Sequence, residues 1–573
     1  MYNKLIADIF NEIAALLSVD EKVSKFEVRA YQKAALTIST LQEPIEDIYA
    51  SGGKAALQKL PGIGPTLAER IIEYIKTGRI EKYEALKRKY PVDIKALTSI
   101  EGIGAKKAVT LYKQLGVKNI DDLKKAVSEH RISKLEGFGE KSEDVIAKGI
   151  GMLEQSKGRM LLGEVLPIAE GIVAGLLKSG LVSNAVIAGS TRRMRETVGD
   201  IDILALSSKQ EQVMDLFTKM DGVSEVISKG PTKTTVWLKM GLSCDLRVIE
   251  PKSFSAALQY FTGSKDHNIE VRKIAIKKGY KLNEYGLFKG SVSVNVKSEA
   301  DIYAKLGMQY MPPEMREDRG EVQLALEHKI PKLVELADLK GDMHTHTKDT
   351  DGTNTLEEMV SAARAAGLEY IGVTNHTKSL KVAHGMDDKG FEAFFEKIDR
   401  LNDSLEGFKA LKGAEVDILK DGSLDLQAKT LRSMDVVVAG VHSSFSMSEE
   451  GMTKRIVKAL DSGMVSILAH PTGRMIFERE PYKVNLEQVF EAAERNNTVL
   501  EVNSLPNRLD LSDTNIMLAS KYKVMFAIDS DAHNTSHFEF LRYGVGTARR
   551  GWLTKDRVIN SMSIERLSAT LKR

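Results

Sequence analysis

The residues from Gly189 to Asp202 read G-S-T-R-R-M-R-E-T-V-G-D-I-D, and this stretch decides the fold of the middle of the chain. Short apolar runs precede and follow it, so the pattern predicts a strand, a polar turn or short helix, and a second strand. Side chains alternate between the two faces of a strand, so Asp200 and Asp202 point to the same side. Two close carboxylates repel each other unless a cation lies between them, and hard oxygen ligands suit Mg²⁺ or Mn²⁺.

Groups that suit a triphosphate lie just upstream of this pair. Gly189 lets the backbone approach a ligand, Ser190 offers a hydroxyl, and the arginines within Arg192–Arg195 can neutralise phosphate charge. An isolated D-x-D pair more often belongs to a salt-bridged hairpin, but the upstream Gly-Ser favours a triphosphate site beside a metal site. Asp245, on a predicted strand from Ser243 to Ile249, adds a third carboxylate. Three such aspartates holding two cations about 4 Å apart is the arrangement that supports nucleotidyl transfer.

Four motifs together resemble the palm and thumb of a family X DNA polymerase, the group of DNA polymerase beta. They are G-S-x-R-R, G-D-I-D, C-D-L-R at Cys244–Arg247 and Y-F-T-G-S at Tyr260–Ser264. The resemblance implies that three aspartates are the catalytic residues and the ligands of Mg²⁺ or Mn²⁺: Asp200, Asp202 and Asp245. It implies that the incoming nucleotide is bound by Gly189, Ser190, Arg193, Gly199, Tyr260, Phe261, Gly263 and Asn268. It also implies that Arg272 contacts the template strand.

The N-terminal region carries three copies of the motif apolar-x-Gly-apolar-Gly, each between helical patterns. The glycines allow a tight turn whose free N–H groups, next to a helix N-terminus, bind an anion. This is the helix-hairpin-helix signature, which binds DNA phosphates without reading bases. One copy could be a simple helix turn, whereas three copies indicate DNA binding. The predicted DNA-binding residues here are Gly62, Gly64, Arg70, Gly102, Gly104, Lys106, Gly137 and Gly139.

Arg70 marks one departure from the family pattern. In relatives with deoxyribose-phosphate lyase activity, a lysine nucleophile occupies this position late in the first hairpin motif. An arginine keeps its proton at working pH and does not readily form a Schiff base. The resemblance therefore implies that Arg70 binds a 5′-phosphate, and it leaves lyase activity open.

The C-terminal third is rich in histidine: eight of the eleven histidines lie between His344 and His537. Seven apolar runs in this region each lead into a polar residue and alternate with amphipathic helical patterns. This alternation predicts βα units around a closed parallel barrel, whose active site lies at the C-terminal strand ends. A single strand-end histidine is more often structural, but repeated His, Asp and Glu at such ends favour a polynuclear metal centre.

The strand-end motifs D-x-H-x-H, N-H, G-x-E, V-H-S, A-H-P and D-x-D-A-H resemble the polymerase and histidinol phosphatase (PHP) domain, a distorted (β/α)₇ barrel. The resemblance implies a polynuclear Mn²⁺ or Zn²⁺ site with these ligands: His344, His346, Asp351, His376, Glu415, His442, His470, Asp531 and His533. Asn375 stands where the family usually has an aspartate, which could orient the neighbouring imidazole; an asparagine would do so more weakly. His384 and His537 fall outside the pattern and are expected at the surface or on the substrate side.

Composition limits the class of protein. A chain of 573 residues with 42% hydrophobic and 28% charged residues is typical of a soluble protein with three to five folding units. The single cysteine, Cys244, excludes an internal disulfide and fits a reducing compartment. No apolar run approaches a membrane span, the N-terminus lacks a signal-peptide pattern, and a net charge of +3 is weak evidence for nucleic acid. We expect a cytoplasmic, nucleoid-associated monomer.

The resemblances cover the whole chain and predict a multidomain α+β and α/β protein whose palm has an antiparallel or mixed sheet. The expected order is a helical N-terminal domain (1–89), a helix-hairpin-helix domain (90–150), a nucleotidyltransferase palm (151–250), a thumb (251–315), a linker (316–336) and a PHP barrel (337–573). The implied function is template-directed gap filling in base excision repair, on gapped or primer–template DNA with dNTPs. The PHP metals would act as a 3′–5′ exonuclease and 3′-end-processing site, with abasic-site nicking as the alternative reaction.

Two rival functions remain. One is a nucleotidyltransferase that works without a template or on a small acceptor, with the PHP barrel as a phosphatase. The other is a binding protein whose barrel is only a phosphatase or scaffold module. The hairpin repeats and the segment from Tyr260 to Arg272 argue against the first. Ligand-capable residues at every position of both metal sites argue against the second.

Overall fold

The computed structural model describes residues 2–20, 22–39, 41, 43–98, 100, 102–155 and 158–571. The chain divides into two compact units: an N-terminal helical unit, and a larger unit that begins at Gly158. Within the described residues, no helix is both long enough and apolar enough to cross a bilayer.

The N-terminal unit is helical throughout. Two apolar cores hold it together, one centred on residues such as Phe10 and Ile71 and the other on residues such as Leu97 and Leu123. Its helices in chain order are α1 (Asn3–Leu17), α2 (Lys25–Ser39), α3 (Ile45–Gln58), α4 (Pro65–Thr77), α5 (Glu81–Lys89), α6 (Ile94–Thr98), α7 (Ala105–Leu115), α8 (Ile120–Ser128) and α9 (Glu140–Gln155).

The palm lies at the start of the larger unit. Its described strands are β1 (Met160–Leu161), β2 (Asn184–Ile187), β3 (Thr197–Val198), β4 (Asp200–Leu206), β5 (Val223–Lys229), β6 (Lys233–Leu238) and β7 (Ser243–Ile249). The helices are α10 (Leu162–Lys178), α11 (Gly189–Arg192) and α12 (Gln210–Thr218). The main sheet has the order β2-β4-β7-β6-β5, with β4 and β7 parallel and the other pairs antiparallel. The predicted strand, short helix and strand around the Gly-Ser motif are therefore confirmed as β2, α11 and β4.

The thumb follows the palm. It contains α13 (Phe254–Thr262), α14 (Lys265–Lys277), β8 (Tyr280–Asn283), β9 (Gly286–Lys289), β10 (Val292–Val294), α15 (Glu299–Lys305) and α16 (Glu321–Leu326). Single 3₁₀ turns cover Pro251–Ser253 and Pro313–Met315. Helix α16 falls in the segment assigned to a linker, and its Val322 and Ala325 pack in the apolar cluster of the thumb. Sequence periodicity could not show this, because the helix is too short to repeat its apolar face.

The C-terminal part forms a parallel barrel whose strands, in the described chain, follow one another in sequence order: β11 (Gly341–Thr345), β12 (Tyr370–Val373), β13 (Lys409–Asp417), β14 (Val436–Gly440), β15 (Ile467–Leu468), β16 (Val499–Asn503) and β17 (Phe526–Asp529). A parallel bridge between Thr345 and Ala532 brings the first and last strands together. The predicted (β/α)₇ barrel is therefore confirmed. The helices around it are α17 (Leu356–Ala365), α18 (Asp388–Asn402), α19 (Ala428–Arg432), α20 (Glu449–Asp461), α21 (Leu486–Asn496), α22 (Asp513–Ala519), α23 (Leu541–Arg550) and α24 (Ile564–Leu571).

The palm and the barrel share apolar contacts. Leu509 and Tyr543, from the barrel region, are buried in the same cluster as the palm residues Leu162, Ile201 and Leu246. Helix α23 therefore packs between the barrel and the palm.

Candidate active sites

The barrel strands place a cluster of histidines and carboxylates at their C-terminal ends. Glu415, on β13, lies at the centre of the cluster and is 2% exposed. In the described chain, five histidines surround its carboxylate at nitrogen–oxygen distances from 2.8 Å to 3.5 Å: His344, His346, His376, His442 and His470. One buried carboxylate on β13 thus contacts histidines from four other strand ends.

Two more carboxylates extend the cluster. Asp531 Oδ1 lies 3.2 Å from Nε2 of His346. Asp351 Oδ2 lies 3.3 Å from Nε2 of His376 and also 3.3 Å from Nε2 of His533. Within the described residues, the groups of three or more possible ligands whose atoms all lie within 4.8 Å of one another are His346-Asp351-His376-His533, His344-His346-Asp531 and His376-Glu415-His442. The structure therefore brings all nine predicted PHP ligands into one connected cluster.

The donor atoms fit a polynuclear metal site because several of them are buried and unpaired. Atoms with no hydrogen-bond partner include Nε2 of His344, both ring nitrogens of His346, Nδ1 of His470 and single carboxylate oxygens of Asp351 and Asp531. A buried polar atom without a partner costs about 1–3 kcal/mol. Divalent cations bound by these atoms would remove that cost, and imidazole with carboxylate is a donor set for such ions.

The electrostatics of the cluster agree with this interpretation. Burial, with the neighbouring His533 and His376, lowers the pKa of His346 to about 3, so this ring is a neutral donor at neutral pH. Burial also opposes a charge on His376, but Glu415 and Asp351 outweigh it and raise the pKa of His376 to about 10. The carboxylates therefore create a negative potential that favours a cation at this position.

Three residues that support the ligands were missed by the sequence reasoning. Glu501 Oε1 lies 2.6 Å from Nδ1 of His344, and its Oε2 accepts a 2.6 Å hydrogen bond from the backbone N–H of His470. Asp417 Oδ1 lies 3.3 Å from Nδ1 of His442, and Asn503 donates to Asp531 over 3.1 Å. An acidic residue inside an otherwise apolar strand, as in V-L-E-V-N, was the signal that could have found Glu501.

Asn375 does not act on the neighbouring imidazole in the expected way. Its Oδ1 accepts hydrogen bonds from the backbone N–H of Thr347, at 2.8 Å, and from Oγ1 of Thr350, at 3.0 Å. It therefore fixes the loop that follows His346. His537, expected at the surface or on the substrate side, is half-buried next to a predicted ligand: its Nδ1 accepts a 3.3 Å hydrogen bond from the backbone N–H of His533. Burial lowers the pKa of His537 to about 4.

The palm carries the second candidate site. Asp202 on β4 pairs in register with Asp245 on β7, and Asp200 lies two residues earlier on the same face. Asp245 accepts a 2.6 Å hydrogen bond from Oγ1 of Thr235 and lies 2.7 Å from Nζ of Lys233. Among the described residues, the three aspartates do not form a group within the 4.8 Å spacing that the barrel ligands reach. Lys233 is therefore a counter-ion of the Asp245 carboxylate.

Asp202 has the chemistry of a cation ligand. Burial, together with Asp200 and Asp245, raises the pKa of Asp202 to about 6, because a second and third negative charge are unfavourable there. A bound divalent cation would compensate that repulsion, so this donor set also fits a metal. Gly189 has φ +62° and lies so close that a Cβ at this position would collide with the Asp202 carboxylate, which explains the glycine.

Two of the arginines expected to neutralise phosphate already have protein partners. Arg192 pairs with Glu299 at 2.6 Å. Arg193 donates from Nη1 to the carbonyl of Thr262 at 2.6 Å and from Nε to Glu317 at 3.1 Å. Ser190 follows Gly189 on α11. Gly199 lies beside the guanidinium of Arg159.

The remaining nucleotide and template candidates lie on α13 and α14. Tyr260 and Phe261 pack edge to face with ring centroids 5.1 Å apart, just before Gly263, which ends α13. Asn268 donates to the carbonyl of Tyr260 over 2.7 Å. Arg272 donates from Nε to the carbonyl of Asn268 over 3.1 Å. These two hydrogen bonds connect the residues that are predicted to contact the sugar, the base and the template strand.

In the N-terminal unit, the hairpin glycines lie at turns before helices. Gly62, Gly102 and Gly137 have positive φ angles. Gly64 and Gly104 are the N-caps of α4 and α7, Gly139 immediately precedes α9, and Lys106 is exposed in the first turn of α7. Arg70 on α4 pairs with Glu73 at 2.9 Å, and this partner raises the pKa of its guanidinium. The backbone N–H groups of these helix starts are therefore available for phosphate.

Comparison with known proteins assigns the segments. The sequence matches the family profiles of a helix-hairpin-helix domain (residues 1–80), a SAM-like helix-hairpin-helix tandem (94–150), the DNA polymerase beta thumb (257–317) and the PHP domain (342–505). It is 35% identical to the DNA polymerase/3′-5′ exonuclease PolX of Bacillus subtilis over 578 residues, which covers 100% of both chains. The chain belongs to the PolX family.

Two other similarities cover parts of this PolX chain. A probable phosphatase of Thermoanaerobacter sp. (strain X514) is 29% identical over 231 residues, which covers 38% of this chain and 89% of the phosphatase. The crystal structure of Leishmania infantum polymerase beta, a ternary complex, is 24% identical, covers 39% of this chain and 97% of that one, and has a TM-score of 0.27. As a member of the PolX family, the chain is an enzyme of the DNA polymerase and 3′–5′ exonuclease type, and its polymerase and PHP domains imply divalent metals.

Proposed function

We propose that this protein is a template-directed DNA polymerase that fills short gaps in base excision repair and that processes 3′ ends at a second site. The observation that carries the proposal is the end-to-end similarity to the Bacillus subtilis PolX. That similarity includes both the aspartate-bearing palm and the histidine-rich barrel. The protein is proposed to act as a cytoplasmic, nucleoid-associated monomer on gapped or primer–template DNA.

In the proposed polymerase reaction, Asp200, Asp202 and Asp245 hold Mg²⁺ or Mn²⁺. These cations would activate the primer 3′-hydroxyl and support the leaving pyrophosphate. Gly189 and Ser190 would approach the triphosphate, since the backbone turn at α11 faces the Asp202 carboxylate. The burial and mutual repulsion that raise the pKa of Asp202 support its role as a metal ligand.

The other proposed nucleotide contacts come from Arg193, which follows α11, and from residues at the end of α13 and on α14. Arg193 would bind the triphosphate, and Tyr260, Phe261 and Gly263 would line the sugar pocket. Asn268 would contact the minor-groove edge of the base. Arg272 would contact the template strand. The bond from Asn268 to the Tyr260 carbonyl supports this arrangement, because it ties the base-contacting and sugar-contacting residues together. The hairpin turns of the N-terminal unit would bind phosphates on either side of the gap.

In the proposed exonuclease reaction, the nine barrel ligands hold a polynuclear centre. Mixed imidazole and carboxylate donors favour Mn²⁺ or Zn²⁺ over Mg²⁺. Bound cations would supply a hydroxide nucleophile at neutral pH and offset the charge of the phosphodiester. The sensible substrates are a mismatched 3′ nucleotide, a 3′-phosphate or another 3′ block, with abasic-site nicking as the alternative.

The proposal is tested with three labelled substrates: a duplex with a one-nucleotide gap, a recessed primer–template and a single strand. We expect addition of the complementary dNTP at the gap, and Mn²⁺-stimulated release of nucleotides from the single-stranded 3′ end. Addition that ignores the template base would instead identify a template-independent nucleotidyltransferase. Failure to cut any 3′ end with Mn²⁺ or Zn²⁺ would contradict the nuclease assignment.

A further inference from the structure

The palm loop that carries the nucleotide-binding arginine rests on helix α23 of the barrel. A Cβ added at Gly546 of this helix would lie 2.6 Å from Cε of Met194, so the methionine packs directly on the glycine. At the end of the same loop, Glu196 pairs with Arg474 of the barrel at 2.8 Å. The loop is therefore supported from outside the palm.

Arg550, the last residue of α23, contacts the backbone of Arg193, the arginine proposed to bind the nucleotide. Its Nη1 donates to the backbone carbonyl of Arg193 at 2.8 Å and to Glu317 at 2.8 Å. Its Nη2 pairs with Asp513 at 2.7 Å. The Arg550 side chain is 3% exposed, so these charge-assisted bonds are shielded from water.

Glu317 is shared among three arginines, of which Arg550 is one. Its Oε1 lies 3.1 Å from Nε of Arg193, and Oε2 lies 3.7 Å from Nη1 of Arg195. A triphosphate bound by Arg193 would compete with this carboxylate for the same guanidinium. Arg550 would still neutralise the Glu317 carboxylate after such a loss, and it fixes the Arg193 backbone at the same time.

We infer that Arg550 of the nuclease barrel is a positioning residue for nucleotide binding in the polymerase site, acting through Glu317 and the Arg193 carbonyl. This inference rests on the proposed function, in which Arg193 binds the triphosphate. It predicts that the barrel is needed for polymerisation even where its nuclease chemistry is not. It also predicts that substitutions of Arg550 weaken the binding of the dNTP and leave the binding of DNA unchanged.

The test measures kcat and KM for the correct dNTP on gapped DNA, using the full-length protein. Arg550→Gln is expected to raise KM about tenfold, the effect of losing a charge-assisted hydrogen bond, with a smaller change in kcat. Arg550→Lys keeps the charge but reaches fewer acceptors, so its KM should lie between those of wild type and Arg550→Gln. The Kd for gapped DNA and the exonuclease rate should stay within twofold of wild type in both variants.

Arg549→Gln is the matched control. Arg549 precedes Arg550 on α23 and pairs with Glu314 of the thumb at 2.7 Å, but its bonds do not involve the 189–196 loop. Its removal should leave KM for the dNTP unchanged. If Arg549→Gln raised KM as much as Arg550→Gln does, the effect would be one of general packing and the inference would be wrong.

The double variant Arg193→Gln, Arg550→Gln separates positioning from independent damage. If Arg550 acts through Arg193, the double variant should have the KM of Arg193→Gln alone, whereas independent effects would multiply. A normal KM in Arg193→Gln would refute the proposed role of Arg193. A raised KM in Arg193→Gln together with a normal KM in Arg550→Gln would refute only the role of Arg550. If Arg550→Gln fails to fold, the Arg550→Lys protein decides: a wild-type KM there overturns the inference.

Discussion

Replacing Glu501 with glutamine should weaken metal binding in the barrel, although it changes none of the nine predicted metal ligands. Each carboxylate oxygen of Glu501 takes one 2.6 Å contact, one from His344 Nδ1 and one from the N–H of His470. A glutamine side chain keeps one acceptor oxygen, but its NH₂ group would face the second N–H donor. One of the two hydrogen bonds is therefore lost. Loss of a hydrogen bond to a charged group costs about 1.5–3 kcal/mol. At about 1.4 kcal/mol per tenfold, that loss predicts a roughly 10- to 100-fold weaker metal site.

The assay is a Mn²⁺ titration of exonuclease activity on a fluorescent single-stranded oligonucleotide, with primer extension in Mg²⁺ measured in parallel. Glu501→Gln should shift the half-saturating Mn²⁺ concentration upward and leave extension unchanged. Glu487→Gln is the control, because Glu487 is exposed in the first turn of α21. An unshifted Mn²⁺ curve in folded Glu501→Gln would refute the idea that this carboxylate orients His344.

Three further outcomes are expected. Asp202→Ala should lower primer extension by several orders of magnitude because it removes a metal ligand, while gel-shift binding to gapped DNA and exonuclease activity persist; undiminished extension would contradict the assignment. His344→Ala or His346→Ala should abolish the Mn²⁺-stimulated exonuclease and leave extension of a paired primer intact, so joint loss of both activities in a folded protein would refute the two-site proposal. Because Arg70 replaces the usual lysine, borohydride should trap little adduct with a 5′-deoxyribose-phosphate end, and efficient trapping would show that a nearby lysine serves instead.

The sequence was sufficient for the parts of the fold that repeat. Alternation of apolar strand and amphipathic helix predicted the barrel, because each βα unit must bury one strand and one helix face. The polar residue after each strand then predicted the metal cluster, since parallel strands end at the same rim. Glu415 shows the limit of that reasoning. Its position was predicted, but its central place among five imidazoles depends on strand register and stagger, which the sequence does not encode locally.

Supporting residues were harder to predict than ligands. The only local signal for Glu501 is an acidic residue within an apolar strand, and its role depends on His344, which is 157 positions away in the chain. Arg192 and Arg193 were expected to face phosphate, yet each pairs with a thumb glutamate more than 100 positions downstream. Pairings of this range arise only when separate elements pack together. A single sequence therefore identifies such residues by charge but not by partner.

The contact between palm and barrel constrains how one chain can carry two opposed reactions. Leu509 and Tyr543 are buried in the palm core, and Arg550 is buried between Glu317 and Asp513. Separating palm from barrel would expose this apolar surface and break the buried contact between Arg550 and Glu317, which is unfavourable. The two active sites therefore keep a fixed relation to each other. In the proposed function, a primer end that passes from the palm aspartates to the barrel histidines must therefore do so by movement of the DNA.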